Sequence, residues 1–306
     1  MNHTTTPWLL GAALLAASAA VPATAAPLDI DGYLWAENLA FDGRGGLIVS
    51  DAFKGDIWRI EQDGDGGHRQ SLIATGFDGA LGLAYLNVGG PLYAAIRTVD
   101  ESDPYEIVAI SPDGSVTTIV TLPEQPNGLE ADPVTGLLYA TTEGDFVPER
   151  GAVYEIDPLT YTYSVVMTEI FGADGAAIDV EGRRLYVGEV LSGIIHIYDL
   201  EAGEIIDSFQ GLHGRRLQFL DDFELSIDKQ SIIGADFMRG TVVRIPIGVD
   251  LRGQPEVVLD GFTAPTTVVR GEAPFWDDTS LFVSGGGGFR GFQDNGYVVE
   301  IPNSAL

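Results

Sequence analysis

From residue 28 onward the chain reads as short apolar runs of a few residues each, broken by clusters of Gly, Asp and Pro. Apolar and polar positions alternate with a period of two in many of these runs, as a half-buried strand requires, and no stretch carries a helical period beyond the first two dozen residues. One unit shows the grammar. Glu37 to Phe41 is a strand, Asp42-Gly43-Arg44-Gly45-Gly46 is a turn, and Leu47 to Ser50 is a second, short apolar strand. Asp56 to Ile60 alternates as a third strand, and Arg69 to Ala74 follows a further Asp/Gly turn as a fourth.

The unit recurs. Six strand starts read AENLAF, ALGLAY, PNGLEA, ADGAAI, LDDFEL and PTTVVR, and their second residues are Glu37, Leu81, Asn127, Asp174, Asp221 and Thr266. Successive starts lie 44, 46, 47, 47 and 45 residues apart. A fixed period in the forties with several short strands per unit predicts an all-β chain, a six-bladed β-propeller of four-stranded antiparallel blades. The sixth unit ends near Ile301 without a fourth strand of its own. Leu28 to Ile30 is expected to supply it, which closes the ring and leaves no unpaired edge.

Two segments frame this domain. Trp8 to Val21 is an uncharged apolar run followed by Pro22-Ala23-Thr24-Ala25, the pattern of a signal peptide over residues 1–25, with the propeller over 26–306. The run is short of the ~20 residues a spanning helix needs. Export to the periplasm or the medium is therefore expected, with no membrane attachment after cleavage. The chain has no cysteine, so packing and bound metal must stabilise the exported fold. The formal net charge of −29, from 45 acidic and 16 basic residues, repels phosphate and disfavours nucleic acid as a partner. A monomer acting on a small molecule is the expected form.

Equivalent inner-strand starts converge at one mouth of a propeller's tunnel. Glu37, Asn127, Asp174 and Asp221 are expected to face one another there, with Asp222 beside them. Carboxylates gathered in a cleft repel and raise one another's pKa, and a divalent cation removes that cost. Oxygen donors from Glu, Asn and Asp suit Ca²⁺, or another dication such as Mg²⁺, rather than Zn²⁺. His68, His196 and His213 all fall outside the ring positions, and His196 alternates with isoleucines as a packed or surface residue.

On these residues the chain resembles the senescence-marker/gluconolactonase/luciferin-regenerating family, whose wider relatives include the paraoxonases and diisopropylfluorophosphatase. Gln125-Pro126-Asn127-Gly128-Leu129 is the closest local match, and Leu220-Asp221-Asp222 is similar to the family's fifth-blade turn. The resemblance covers roughly Leu28 to Ile301. It implies that Glu37, Asn127, Asp174 and Asp221 hold a catalytic divalent cation, with Asp174 standing where the family usually has Asn. It further implies hydrolysis of lactones or related esters, Asp221 acting as general base or nucleophile and Asn127 holding both cation and substrate oxygen. Substrate contacts are expected from Asp222 and from the loops after the second strands, at Asp51, Arg97, Glu143, Glu189, Asp236 and Arg290. Gly285 to Gly288, with Phe289 and Phe292, forms a candidate lid. Two other readings stand beside the hydrolase: a non-catalytic, extracytoplasmic Ca²⁺-binding propeller, and a strictosidine-synthase-like catalyst on the same scaffold.

Overall fold

In a computed structural model, residues 28–100, 103–144, 147, 150–212, 219–248, 254–287 and 295–302 are described. The proposed signal segment, His213 and the Phe289–Phe292 part of the candidate lid lie outside them. Among the described residues the strands form six four-stranded antiparallel sheets, and the inner strand of each sheet packs against the inner strand of the next. The fold is the six-bladed propeller that the period predicts. Inner strands run Ala36–Phe41, Gly79–Tyr85, Pro126–Asp132, Ala173–Asp179, Leu220–Leu225 and Pro265–Arg270.

Closure follows the expected route, and the closing strand is longer than its sequence suggests. Asp29–Tyr33 pairs antiparallel with Gly296–Ile301 as the outermost strand of the sixth blade, Asp29 opposite Val299 and Ile30 opposite Val298. Leu28 and Tyr33 are buried at its two ends. The Leu28 N–H donates to the Glu300 carboxylate at 3.1 Å, and the Glu300 N–H donates back to the Leu28 carbonyl at 2.7 Å. Blades are also latched at their turns: the Arg183 guanidinium grips the buried Asp132 of the preceding blade through two bonds of 3.1 and 2.8 Å, and Lys229 reaches Asp179 at 2.7 Å.

Every inner strand carries a β-bulge at the same place. Its second and third residues together oppose a single residue of the second strand, at Glu37-Asn38, Leu81-Gly82, Asn127-Gly128, Asp174-Gly175, Asp221-Asp222 and Thr266-Thr267. The extra residue unhooks the chain from the ladder and re-aims two side chains. In three blades the third residue is glycine because the next blade's backbone lies against it. A Cβ on Gly128 would sit 2.6 Å from the Asp174 carbonyl oxygen, and Gly82 and Gly175 meet the carbonyls of Asn127 and Asp221 in the same way.

Second-strand hydroxyls stitch the bulges together. Ser50 accepts from the Asn38 N–H at 3.0 Å and donates to the Leu81 carbonyl of the next blade at 2.8 Å. Thr141 repeats this with the Gly128 N–H at 2.8 Å and the Asp174 carbonyl at 2.6 Å. Ser284 donates to the Glu37 carbonyl at 3.0 Å, joining the last blade to the first. The main-chain carbonyls of three ring residues, Glu37, Leu81 and Asp174, are thus each held by a hydroxyl of the preceding blade.

Gly128→Ala is expected to destabilise the fold by about 1–3 kcal/mol through overpacking, whereas Gly64→Ala, with open space around its Cβ, stays near neutral. Urea titration of both variants checks this; equal midpoints would remove the close blade contact from the account.

Candidate functional site

At one end of the tunnel lies a cavity of about 400 Å³. Its polar floor is Glu37, Asn127, Asp174 and Asp221, the second residues of bulges one, three, four and five. All four side chains are buried. Leu81 takes the blade-two position and also lines the cavity. Thr266 turns its hydroxyl to the Ala36 carbonyl at 2.8 Å instead. Walls of Trp35, Phe53, Phe219 and Phe237 rise around this floor, with Arg97 and Glu143 among them.

The floor is electrostatically crowded. Burial, followed by the charge of Asp222, pushes the Glu37 carboxyl up to about 8, against the pull of the Trp35 indole N–H that donates to it at 2.6 Å. Asp174 is raised well above the usual carboxylate range by burial, then by Glu143, Asp222 and Glu37. Asp221 is raised in the same way by burial and by Asp174, Glu37, Asp222 and Glu143. One oxygen is left over: Asp174 Oδ1 is buried with no hydrogen-bond partner, a position that costs about 1–3 kcal/mol when nothing fills it.

Among the described residues no three Asp, Glu or His side chains are already drawn together into a chelate. The donor chemistry still suits a hard dication. Three carboxylates and a carboxamide supply only oxygen, the surplus negative charge is buried, and the orphaned Asp174 oxygen lacks the partner that a cation would provide.

Register decides which of the other expected residues reach the cavity. Arg97 and Glu143 line it; Arg290 lies outside the described residues. Asp51, Glu189 and Asp236 do not line it. The ladders pair Asp51, Ile96, Thr142, Glu189 and Asp236 with equivalent inner-strand residues, so Arg97 and Glu143 belong one step further on, with Ala52, Val190 and Phe237. A slip of one residue reverses the facing of a strand side chain. The three acids cap loops instead. Asp51 accepts the N–H groups of Leu34, Phe53 and Lys54 at 2.7, 3.1 and 2.9 Å. Glu189 binds His196 Nε2 at 3.0 Å and the Ser192 hydroxyl, and Asp236 pairs with Arg239 at 3.0 Å. Ala52, Arg97, Glu143, Val190 and Phe237 recur at 45, 46, 47 and 47 residues, so the spacing held the signal for Phe237. Trp35 and Phe219 each stand just before an inner strand, 184 positions apart like Glu37 and Asp221, so the period marks them too; Phe53 carries no such mark.

Asp222 belongs to a different space. Its Oδ2 accepts from Asn38 Nδ2 at 2.6 Å and Thr267 Oγ1 at 2.8 Å, and Asn38 Oδ1 accepts the Leu83 N–H at 3.2 Å. These third residues of bulges one, five and six join three adjacent blades by hydrogen bonds across the axis. Beyond them lies a second cavity of about 320 Å³ lined by Asn38, Asp222, Thr267, Glu130 and Glu224. Expected as a substrate contact beside Asp221, Asp222 instead lines this second space. Burial, with Asp222 and Glu224 nearby, pushes Glu130 up to about 8. Burial pushes Glu224 up to about 7 against the pull of Arg270, whose Nε lies 3.9 Å from Glu224 Oε1. Both Glu residues line the cavity and are partly exposed, the Glu224 side chain at 26%.

No family model matches the chain. A curated protein, strictosidine synthase-like 12 of Arabidopsis thaliana, is 26% identical over 165 residues, 47% of this chain and 48% of its own; the match spans about half of each. Three solved structures are similar in fold. A luciferin-regenerating enzyme has a TM-score of 0.69 at 16% identity, over 90% of this chain and 95% of its own. A gluconolactonase from Xanthomonas campestris has 0.66 at 16%, over 90% of both. A calcium-binding protein, regucalcin, from Agrobacterium tumefaciens has 0.66 at 14%, over 88% and 90%. These neighbours are of the group that the blade-start residues resemble, and at such identities the likeness is one of fold.

The second cavity predicts a pH dependence. Burial favours the neutral acid, so the folded chain holds the protons of Glu130 and Glu224 more tightly than an unfolded Glu, which titrates near 4.5. Their stabilising contribution is complete below that value and is lost as pH rises through 7 and 8. In chelator, Glu130→Gln is expected to lose less stability than the parent between about pH 6 and about pH 9, by on the order of 1–2 kcal/mol. Parallel denaturant curves at the two pH values would show Glu130 to be solvated like a surface acid.

Proposed function

We propose that the chain is a divalent-cation-dependent hydrolase of lactones or related esters, exported to the periplasm or medium after loss of residues 1–25. The observation that carries this reading is the orphaned, buried Asp174 Oδ1 on a floor shared with Glu37, Asn127 and Asp221, beneath a cavity of small-molecule size. The existence of a gluconolactonase and a calcium-binding regucalcin on the same fold supports it.

Glu37, Asn127, Asp174 and Asp221 are the residues that hold Ca²⁺, or Mg²⁺ in its place. When bound, the ion supplies Lewis-acid polarisation of the substrate carbonyl. Asp221 receives the proton of the attacking water, or attacks the carbonyl carbon itself. Asn127 offers its amide N–H to the substrate oxygen. Trp35 fixes the orientation of Glu37 through the indole bond of 2.6 Å, and the aromatic walls exclude bulk water from the reacting carbonyl.

A second reading is a propeller that binds a cation and ligand without turnover. It draws on the described lining of the cavity, which contains no histidine to shuttle protons.

Calcium titration by calorimetry, with Asp174→Ala and Asp221→Ala alongside, separates these. Binding is expected in the parent and lost in both variants. Asp221→Asn is expected to retain the cation and to lose about 10²–10⁴ in lactone turnover. Cation binding that survives both alanine changes would overturn the site. Tight binding with no turnover of any lactone or ester would select the second reading.

A further inference from the structure

The walls of the upper cavity narrow the substrate class, an inference that rests on the hydrolase reading above. Trp35 packs edge-on to Phe53, with centroids 5.5 Å apart, and tilts against Phe237 at 5.8 Å. Phe219 extends the same surface, its centroid 6.0 Å from Phe237. With Leu81 and Val190 these rings make a continuous apolar wall above the carboxylate floor.

Polar groups on the described part of this wall are few, and most are already used. The Gln125 amide donates to the Ile96 and Pro126 carbonyls at 3.0 and 2.9 Å and accepts the Thr98 N–H at 2.9 Å. The Trp35 indole N–H is committed to Glu37. Glu143, when ionised, offers acceptors and no donor. Arg97 is the available donor. Its guanidinium lies over the Phe53 ring, 4.7 Å from the centroid, and Arg97 lines the cavity. A polyhydroxylated sugar lactone placed here would bury several hydroxyls against rings that cannot bond them, each at a desolvation cost. An aryl ring would instead stack on the wall.

We propose that the site takes apolar, aryl-bearing lactones or esters in preference to sugar lactones, with the aryl group on the Trp35, Phe53 and Phe237 wall. Arg97 binds a hydrogen-bond acceptor of the substrate or the carboxylate of the released acid. The reaction is hydrolysis: water adds to the carbonyl carbon, the acyl C–O bond breaks, and the ring oxygen leaves as a hydroxyl bearing a proton from that water.

The test compares dihydrocoumarin with glucono-1,5-lactone on the intact, Ca²⁺-loaded protein. Binding of the two product acids, 3-(2-hydroxyphenyl)propionate and gluconate, is measured in parallel by calorimetry. The aryl lactone is expected to have the higher kcat/KM by on the order of 10²-fold or more. Its acid is expected to bind, gluconate is not, and Arg97→Gln should weaken the aryl acid about tenfold. Because Arg97 is held at the surface of the cavity, that variant leaves the core rings in place.

Equal or better turnover of the sugar lactone would overturn the inference while leaving the hydrolase standing. Turnover of neither lactone, with selective binding of the aryl acid, would keep the ligand class and remove the hydrolase. Neither turned over and neither acid bound would end both.

Discussion

Six backbones brought around one axis leave too little room for six full side chains at every level, and the bulges in the inner strands are how this chain meets that constraint. At five of the six bulges one residue sends its side chain into the upper cavity, Thr266 turning to the Ala36 carbonyl instead, and the next residue must either vanish or find a partner. Blades two to four vanish it as Gly82, Gly128 and Gly175, against the carbonyls of the following blade. Blades five, six and one use Asp222, Thr267 and Asn38, which bond to one another. The tunnel is thereby divided into two cavities, and the floor of the upper one rests on a hydrogen-bonded layer.

That layer is also why the floor can hold so much charge. Glu37 and Asp174 are pinned through main-chain carbonyls that Ser284 and Thr141 bind directly, which opposes relaxing their repulsion by spreading the ring. Their acidity falls instead, with Glu37 reaching about 8. A fold that carries a formal charge of −29 therefore keeps part of its strain in one small volume, where a dication would release it. Destabilised groups gathered in a cleft are a mark of a site more often than of a scaffold.

Trp35 couples the two halves of the upper cavity. Its indole nitrogen orients Glu37 on the floor, while its ring packs against Phe53 and Phe237 in the wall. Any ligand that stacks on this wall also presses on the residue that orients a floor carboxylate. On the proposed hydrolase reading, recognition of the body of a substrate and placement of its carbonyl would be linked through this one side chain.

The chain's own period determined the fold and the floor. Residues 44 to 47 positions apart must meet once each unit forms one blade, so Glu37, Asn127, Asp174 and Asp221 were legible without coordinates, as was the need for an N-terminal strand beside Gly296–Ile301. Blade-local spacing is a poor guide to facing, because each bulge shifts the register by one and strand side chains alternate. Asp51, Glu189 and Asp236 were misplaced for that reason, and Ala52, Val190 and Phe237 were passed over. The same period relates Asn38 to Asp222 and Glu130 to Glu224, but only the tertiary structure could show that Asp222 bonds Asn38 and that the two Glu residues line a second cavity apart from the first. It alone also brings Phe53 into one wall with Trp35 and Phe219, which share the position just before an inner strand. The period says which residues meet; which side of the bulge layer each one faces depends on the bulge geometry, which leaves no mark in the chain.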